Sequence, residues 1–368
     1  MNLHPRKTKD LIGHSQQIKI FKESYSSNKF HHAWLLEGPR GVGKATFAYN
    51  LSRSILSINL NNSPSLFNTD IETNKLQLQY NENSTIHKNV SENTHIDLKV
   101  IENDNNNSNP HLSEIITVEK VREAKAFFSK TSGEGGKRIL ILDSLDNLNL
   151  YGSNALLKII EEPPNNSLIF LISNNKSNVL STIRSRCRLL KFNNLSTEHT
   201  NKIITNSLIN EIDEEQLIKL NILSNGAPGK GILFFENNGL EIYDYIIEIF
   251  NEFPNLNMEN INKLHNLINS KNNTFNINIL LELITIFIRR TIRKSFDILN
   301  ENLTIEEENA QINLINNFSI EDISSLWDKT VKEINKTTFF NLDKKQTIVN
   351  IINNFKKFNS LSMEKNKV

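Results

Sequence analysis

The chain has 368 residues, with 42 Lys and Arg against 41 Asp and Glu and a formal net charge of +1 at pH 7. A charge this close to zero excludes a long-range field that would draw the whole chain to nucleic acid or to a membrane, so any contact with DNA must come from a local patch. At this length we expect two or three domains, and a hydrophobic fraction of 38% suits several small cores better than one large core.

The cysteine content and the apolar runs limit metal chemistry and compartment. Cys187 is the only cysteine in the sequence, which excludes an internal disulfide and a zinc site made of cysteines. The first ten residues lack the apolar core of a signal peptide, and no run of about 18 apolar residues occurs. We therefore expect a cytoplasmic protein without zinc and without membrane contact.

The chain opens with a pattern typical of a strand–loop–helix unit. A helix is predicted first, then an apolar strand over 32–37, a glycine-rich turn and a helix from Lys44. The stretch from about 59 to 112 is polar and rich in Asn, and it contains one apolar alternation over 96–101. We interpret this stretch as a loop-rich insertion that carries one strand.

Helices and strands then alternate as far as residue 173. A helix begins at Val118, and the continuous apolar run over 138–142 is typical of a strand buried on both faces of a parallel sheet. A second helix over 153–162 ends at two prolines, and another buried strand follows over 168–173. This alternation predicts an α/β layer fold for the first half.

The second half is predicted to be all-α. After Phe192 the apolar periodicity is helical to the end of the sequence, and a polar stretch at 237–239 separates a small helical module from a larger one. The basic pairs at 289–290 and 293–294 lie at helical spacing. We interpret them as a solvated face in preference to a DNA or partner contact.

A glycine-rich segment matches the phosphate-binding loop G-x-x-x-x-G-K-[ST] in all but its last position. Its backbone N–H groups can curl round a phosphate at a helix N-terminus, and its lysine can meet the β- and γ-phosphate oxygens. Alanine replaces the hydroxyl that should bind Mg²⁺, and the next residue lies about 100° further round the helix, too far to substitute. The nucleotide-binding residues predicted here are Gly38, Arg40, Gly41, Val42, Gly43, Lys44, Ala45 and Thr46.

Two other interpretations of this loop stay open: an ordinary glycine-rich turn, and a phosphate loop by descent that no longer hydrolyses ATP. Asp143 ends a buried strand as a Walker B aspartate does, but Ser144 stands where a hydrolytic ATPase usually has Glu. Asp146 is either a substitute base or a solvated turn carboxylate, and we favour the turn carboxylate. We therefore expect ATP or ADP to bind weakly or not at all.

Four further sequence motifs occur in a recognisable order. They are HAWLL before the phosphate loop, DSLDNLN from Asp143, NALLKIIEEPP over 154–164 and TIRSRC over 182–187. Together with the loop they resemble the delta-prime family of subunits of the bacterial DNA polymerase III clamp loader, which are AAA+ proteins. The resemblance covers about residues 11–190 with specific motifs, and the remainder only by helical character.

The resemblance implies a three-part chain. An AAA+ P-loop domain over 1–192, with a parallel sheet flanked by helices, would be followed by a helical lid over 193–238 and an all-α C-terminal collar domain over 239–368. Such subunits join gamma/tau-type motor subunits and a delta subunit in a hetero-pentamer that loads the sliding clamp on primed DNA. Many carry a four-cysteine zinc knuckle after the phosphate-loop helix, and this chain has no such cysteines.

Arg186 is the residue to which the resemblance gives a mechanism. In that family the Ser-Arg-Cys arginine reaches as an arginine finger into the ATP site of the neighbouring motor subunit, where lysine would lack the planar fork. Without the resemblance, a solvated basic edge formed by Arg184, Arg186 and Arg188 is an equally good interpretation. The rival function is a self-sufficient P-loop ATPase such as the motor subunit, against which Ala45 and Ser144 count.

Two further positions are implied only by their place in the chain. Ser173 or Asn174 occupies the sensor-1 position at the end of a strand, or is a plain strand terminus. Lys230 lies in the sensor-2 neighbourhood at the start of a lid helix, or is an exposed lysine in a helix-capping loop. The sequence does not choose between the alternatives at either position.

Overall fold

A computed structural model of the protein describes residues 4–27, 30–61, 84–102, 116–133, 136–175, 179–209, 211–252, 259, 262–263, 277–298, 303–340, 342, 346–347, 349–351 and 353–354. The chain divides into two compact units, Met1–Ile203 with Gly226–Gly229, and Ile204–Asn225 with Lys230–Val368. Part of the predicted insertion over 59–112 lies outside the described residues. The predicted three-part domain division stays a prediction.

The first unit is built on a parallel sheet. Its strands are β1 Ala33–Glu37, β2 Leu98–Ile101, β3 Arg138–Leu142, β4 Ser167–Ser173 and β5 Arg188–Lys191, in the spatial order β2-β3-β4-β1-β5. Leu35 at the centre of β1 pairs with Leu171 of β4 and Leu189 of β5. The two edge strands carry charged side chains, Lys99 on β2 and Arg188 and Lys191 on β5.

Helices cover both faces of this sheet, which explains the continuous apolar runs of the strands. Trp34 and Leu36 face a core shared with α1 Ser15–Tyr25, α2 Lys44–Asn61 and α3 Thr85–Ser91. Ala33 and Leu35 face the opposite core, shared with α4 Val118–Ser129, α5 Leu150–Glu161 and the short α6 Ser181–Arg184. Successive strand residues thus point to opposite faces of the sheet, and the apolar side chains on both faces are buried.

Within its described residues, the insertion contains a helix that the sequence pattern did not predict. In α3, Ile86 and Val90 are buried, and the Ser84 side chain accepts a hydrogen bond from the His87 N–H group at 3.2 Å. The predicted strand of the insertion is present as β2, although Ile96 before it is 62% exposed.

The second unit is helical throughout its described residues. The helices that follow β5 are α7 Thr197–Ser207, α8 Glu214–Ser224, α9 Pro228–Glu236, α10 Gly239–Asn251, α11 Ile277–Ser295, α12 Ile305–Asn317 and α13 Ile320–Phe340. Phe250 and Phe287 stack at 4.7 Å between ring centroids in its core, next to Leu283 and Leu314. The predicted fold class, a parallel α/β layer with flanking helices followed by helices alone, is confirmed.

Arg290 corrects the interpretation of the basic pairs as a solvated face. Arg289 is exposed, but Arg290 is buried with its Nε 2.7 Å from Oε1 of the buried Glu307. The carboxylate that neutralises Arg290 lies on α12, 17 residues away, so local charge counting could not reveal it. Among the described residues, no helix is both long and apolar enough to cross a membrane.

Candidate functional site

The predicted phosphate loop lies between β1 and α2, at the carboxyl edge of the sheet. Gly41 and Gly43 have φ angles of +85° and +104°, a backbone region that side chains with a Cβ rarely adopt. The helix begins at Lys44 directly after the second of these glycines. The backbone therefore has the turn that brings successive N–H groups together at a helix N-terminus, where an anion is favoured.

Lys44 is buried within this loop and is engaged by oxygen atoms of its own chain. Its Nζ donates to the carbonyl oxygens of Gly38 and Pro39 at 2.7 and 2.6 Å, and to Asn174 Oδ1 at 2.9 Å. Asn174 follows β4, so the structure brings the predicted sensor-1 position and the loop lysine together. An incoming phosphate would compete with these contacts for the ammonium group.

Two residues that sequence reasoning missed bind the outer side of the loop. His14 Nε2 donates to the Val42 carbonyl at 2.7 Å, and the backbone N–H of Gly229 donates to the Gly41 carbonyl at 2.9 Å. A Cβ on residue 229 would lie 3.0 Å from Gly41 Cα, so glycine permits this approach. The Gly-x-x-Gly spacing at the start of α9 was a usable signal, whereas nothing local marked His14.

Burial lowers the pKa of His14 below its usual value, against the opposing effect of its hydrogen bond to Val42. Electrostatic interactions with His199 and the nearby Lys44 lower the pKa of His14 further. A neutral ring with the proton on Nε2 satisfies the Val42 carbonyl. His14 is therefore held as a neutral donor beside the phosphate loop.

The acidic side of the site lies at the ends of β2 and β3. Burial raises the pKa of the Asp143 carboxyl, and the negative charge of Glu102 raises it further, while Lys44 opposes the rise. Glu102 in turn accepts from His4 Nε2 at 3.1 Å and from Arg6 at 3.3 Å, and the His4 hydrogen bond lowers the pKa of Glu102. The segment at residues 4–6 thus supplies hydrogen-bond donors to Glu102 that the sequence analysis did not identify.

Ser144 and Asp146, one and three residues after Asp143, differ in their side-chain chemistry and contacts. Ser144 has a φ of +68°, and it carries no carboxylate that could position an attacking water. Asp146 is bound to the end of β4, because its Oδ1 accepts from Ser173 Oγ at 2.7 Å and its Oδ2 from the Asn174 N–H at 2.6 Å. The interpretation of Asp146 as a solvated turn carboxylate is wrong, because both of its carboxylate oxygens accept hydrogen bonds from the end of β4.

The remaining residues that are predicted to bind nucleotide differ in their burial and in their contacts. Val42 is buried, Arg40 is exposed, and Ala45 packs its methyl group against the core under α2. The Thr46 carbonyl accepts from Asn50 at 3.1 Å. In the second unit, Lys230 forms an ion pair with Glu282. The nucleotide roles predicted for these residues stay predictions.

Arg186 lies just after α6, and its side chain is 42% exposed. Its Nε is 2.8 Å from Glu161 Oε1, and its Nη1 donates to the Thr182 carbonyl at 3.1 Å. Among the described residues, its polar contacts are with Glu161, Thr182 and Ser185, and none is with the phosphate loop of its own chain.

The neighbouring arginines do not form one solvated edge with Arg186. Arg184 Nη1 lies 3.0 Å from Glu37 Oε2, at the end of β1. Arg188 lies 5.0 Å from the Trp34 ring centroid and donates to Ser24 Oγ at 2.8 Å. Arg184 and Arg188 therefore anchor this segment on the sheet, and Arg186 lies between them with its side chain toward solvent.

Comparison with known proteins shows which family this chain matches and which proteins it is similar to. Residues 13–196, half of the 368-residue chain, match the family described as DNA polymerase III, delta subunit. The DNA polymerase III subunit gamma of Buchnera aphidicola subsp. Schizaphis graminum is 28% identical over 236 residues, covering 63% of this chain and 58% of that protein. Subunit delta' of Pseudomonas aeruginosa is 31% identical over 156 residues, covering 42% of this chain and 41% of that protein.

The chain thus spans about half the length of these two relatives. Among solved structures, a DNA polymerase III gamma subunit-related protein of Thermotoga maritima is 14% identical with a TM-score of 0.42, over 93% of this chain and 99% of that chain. With half of its length matched, this chain belongs to the DNA polymerase III delta subunit family.

Proposed function

We propose that this chain is a clamp-loader subunit of DNA polymerase III that does not hydrolyse ATP and donates Arg186 to the ATP site of a neighbouring motor subunit. The observation that carries the proposal is the exposed position of Arg186, whose polar contacts lie away from the phosphate loop of its own chain. Family membership and relatives named as subunits delta' and gamma support the assignment to DNA replication.

The chain's own loop suits phosphate binding better than hydrolysis. Its glycines and Lys44 would hold phosphate oxygens, but Ala45 supplies no oxygen for Mg²⁺ and Ser144 supplies no carboxylate for the attacking water. Lys44 is also engaged by Gly38, Pro39 and Asn174. We therefore propose that ATP or ADP binds here weakly or not at all.

In the neighbour's site, the guanidinium of Arg186 would act on charge that develops during phosphoryl transfer. Its planar fork can donate two parallel hydrogen bonds to γ-phosphoryl oxygens, and removal of such a finger lowers the rate by about 10³ to 10⁵ at one site. The partners we propose are gamma/tau-type motor subunits and a delta subunit in a hetero-pentamer. The sliding clamp and primed DNA are reached through that complex.

The test is ATP turnover by the purified chain and by the complex assembled from its cognate motor and delta subunits, sliding clamp and primed DNA. We expect no turnover by the chain alone, and a several-fold fall in turnover by the complex with Arg186→Ala. Arg122→Ala removes the same charge from an exposed position on α4 and should change nothing. Unchanged turnover with Arg186→Ala would leave a structural scaffold as the function.

A self-sufficient P-loop ATPase is the second candidate, favoured by the similarity to a gamma subunit and by the phosphate-loop backbone. Ala45 and Ser144 count against it. Steady turnover by the chain alone, abolished by Lys44→Ala, would establish this function and overturn the first.

A further inference from the structure

Two exposed carboxylates end α5, where a helix tolerates them poorly. Glu161 is the last residue of the helix and Glu162 is its C-cap. The C-terminus of a helix carries partial negative charge, so an acidic side chain there is unfavourable for the helix itself. Residues that break a local rule of this kind without a local gain are candidates for function.

Only one of these two carboxylates has a basic partner among the described residues. Glu161 Oε1 lies 2.8 Å from Arg186 Nε, whereas Glu162 makes no ion pair there. The guanidinium is also held by the Thr182 carbonyl through Nη1, at 3.1 Å. Two sides of the guanidinium are therefore fixed within the chain, and within the described residues Nη2 makes no hydrogen bond.

We infer that Glu161 is a positioning residue, which holds the Arg186 guanidinium so that its remaining donors face the neighbour's phosphates. The inference rests on the proposed function of Arg186. An exposed arginine without such a contact samples many rotamers, and ordering it at the moment of reaction lowers the rate. An exposed ion pair adds little stability, so orientation is the effect that Glu161 can supply.

The negative charge of Glu161 could either help or hinder the action of Arg186. A carboxylate beside a phosphate site also repels the phosphate, and a residue that merely competed for Arg186 would slow the reaction. A positioning residue and a competing residue therefore predict opposite results when the carboxylate is removed. We commit to positioning, because the Thr182 contact fixes the same guanidinium from a second side.

The experiment measures steady-state ATP turnover by the assembled complex with primed DNA and sliding clamp. Its variants are Glu161→Ala, Glu161→Gln, the matched control Glu162→Ala, Arg186→Ala, and the double variant of residues 161 and 186. We expect Glu161→Ala to lower kcat by about twofold, less than Arg186→Ala does, with KM unchanged, because a misplaced guanidinium stabilises the transition state less without changing substrate binding. Gln keeps an acceptor oxygen and should recover part of the loss, and Glu162→Ala should have no effect.

The double variant should turn over no more slowly than Arg186→Ala alone, since Glu161 acts only through Arg186. Faster turnover with Glu161→Ala, or equal losses with Glu161→Ala and Glu162→Ala, would overturn the inference. If Arg186→Ala lowers turnover and Glu161→Ala does not, the inference fails while the proposed function stands. If Arg186→Ala has no effect, the proposed function itself fails. Equal urea midpoints for the residue 161 and 162 variants confirm that both fold.

Discussion

Lys44 shows how a phosphate loop can keep its shape while its lysine is engaged elsewhere in the chain. The ammonium lies within hydrogen-bond distance of oxygen atoms on Gly38, Pro39 and Asn174. A bound phosphate would have to replace some of these hydrogen bonds. The affinity for phosphate would then be lower by the free energy that the lost hydrogen bonds contribute. Ala45 carries no hydroxyl that could bind a metal ion, which would act in the same direction, and a single substitution can supply that hydroxyl.

Ala45→Thr should raise Mg²⁺-dependent affinity for ATP. The new hydroxyl supplies an oxygen ligand of the kind that Mg²⁺ prefers, and we expect a gain of about tenfold, roughly 1.4 kcal/mol. Titration of a fluorescent ATP analogue with and without Mg²⁺ measures the effect. Ala45→Val adds the same volume without the hydroxyl, so equal affinities of the Thr and Val variants would contradict the prediction.

His14 should make the protein less stable in mild acid. Because burial lowers its pKa in the folded chain, the unfolded chain binds more protons just below pH 6.5, and the free energy of unfolding falls as the pH falls. One such group contributes a slope of at most about 1.4 kcal/mol per pH unit. The stability is complete above pH 6.5 and is lost as the pH falls toward the lowered pKa.

His14→Asn provides the measurement, because asparagine tolerates the φ of +57° at this position. Urea unfolding from pH 8 to pH 5.5 should show a smaller loss of stability for the variant than for the wild type. His32 and His95 also have lowered pKa values and are present in both proteins, so the difference between the two curves isolates His14. Parallel curves would mean that His14 does not titrate in this way.

At the scale of elements, the sequence predicted the helices and strands whose apolar pattern or end signals lie in their own residues. The continuous apolar runs of β1, β3 and β4 follow directly from helices covering both faces of the sheet, and the prolines after Glu162 mark the end of α5. The helix α3 was missed because only a few of its residues are buried, within an Asn-rich stretch.

What the sequence could not predict depends on pairing between distant elements. Asp146 binds the end of β4, His14 binds the phosphate loop, and Glu161 meets Arg186, and in each pair the partner is about 25 or more residues away. No local periodicity encodes such pairs. The motifs correctly placed the glycine-rich loop before a helix and Asp143 at the end of a strand, whereas these contacts became visible only in three dimensions.

At the scale of the whole molecule, each of the two units buries a core of its own. Trp34 lies in the core of the sheet unit, and Trp327 packs against the core of the helical unit. The helical core encloses the carboxylate of Glu307, which is fully buried and accepts from Arg290 at 2.7 Å and from Tyr243 at 2.7 Å. Such a group is stable only while its partners remain in place.

Glu307→Ala should therefore destabilise the helical unit by about 3–5 kcal/mol, because it leaves the buried Arg290 without its carboxylate. The matched control is Glu308→Ala, which breaks a partly exposed 2.7 Å pair with Lys294 and should cost less than about 1 kcal/mol. Trp34→Phe in all proteins leaves Trp327 as the single tryptophan, and its fluorescence follows urea unfolding. Equal losses for the two glutamate variants would contradict the prediction.

The edges of the sheet have a consequence for how this protein can meet other chains. Each edge strand is only four residues long and carries charged side chains, and Gln17 already donates to the Lys191 carbonyl at 2.7 Å. Short, charged edges resist the addition of a further strand. In the part of the chain that the structure describes, the sheet edges thus disfavour pairing with a further strand, and contacts through helices, loops and side chains would be the easier way for another chain to bind this unit.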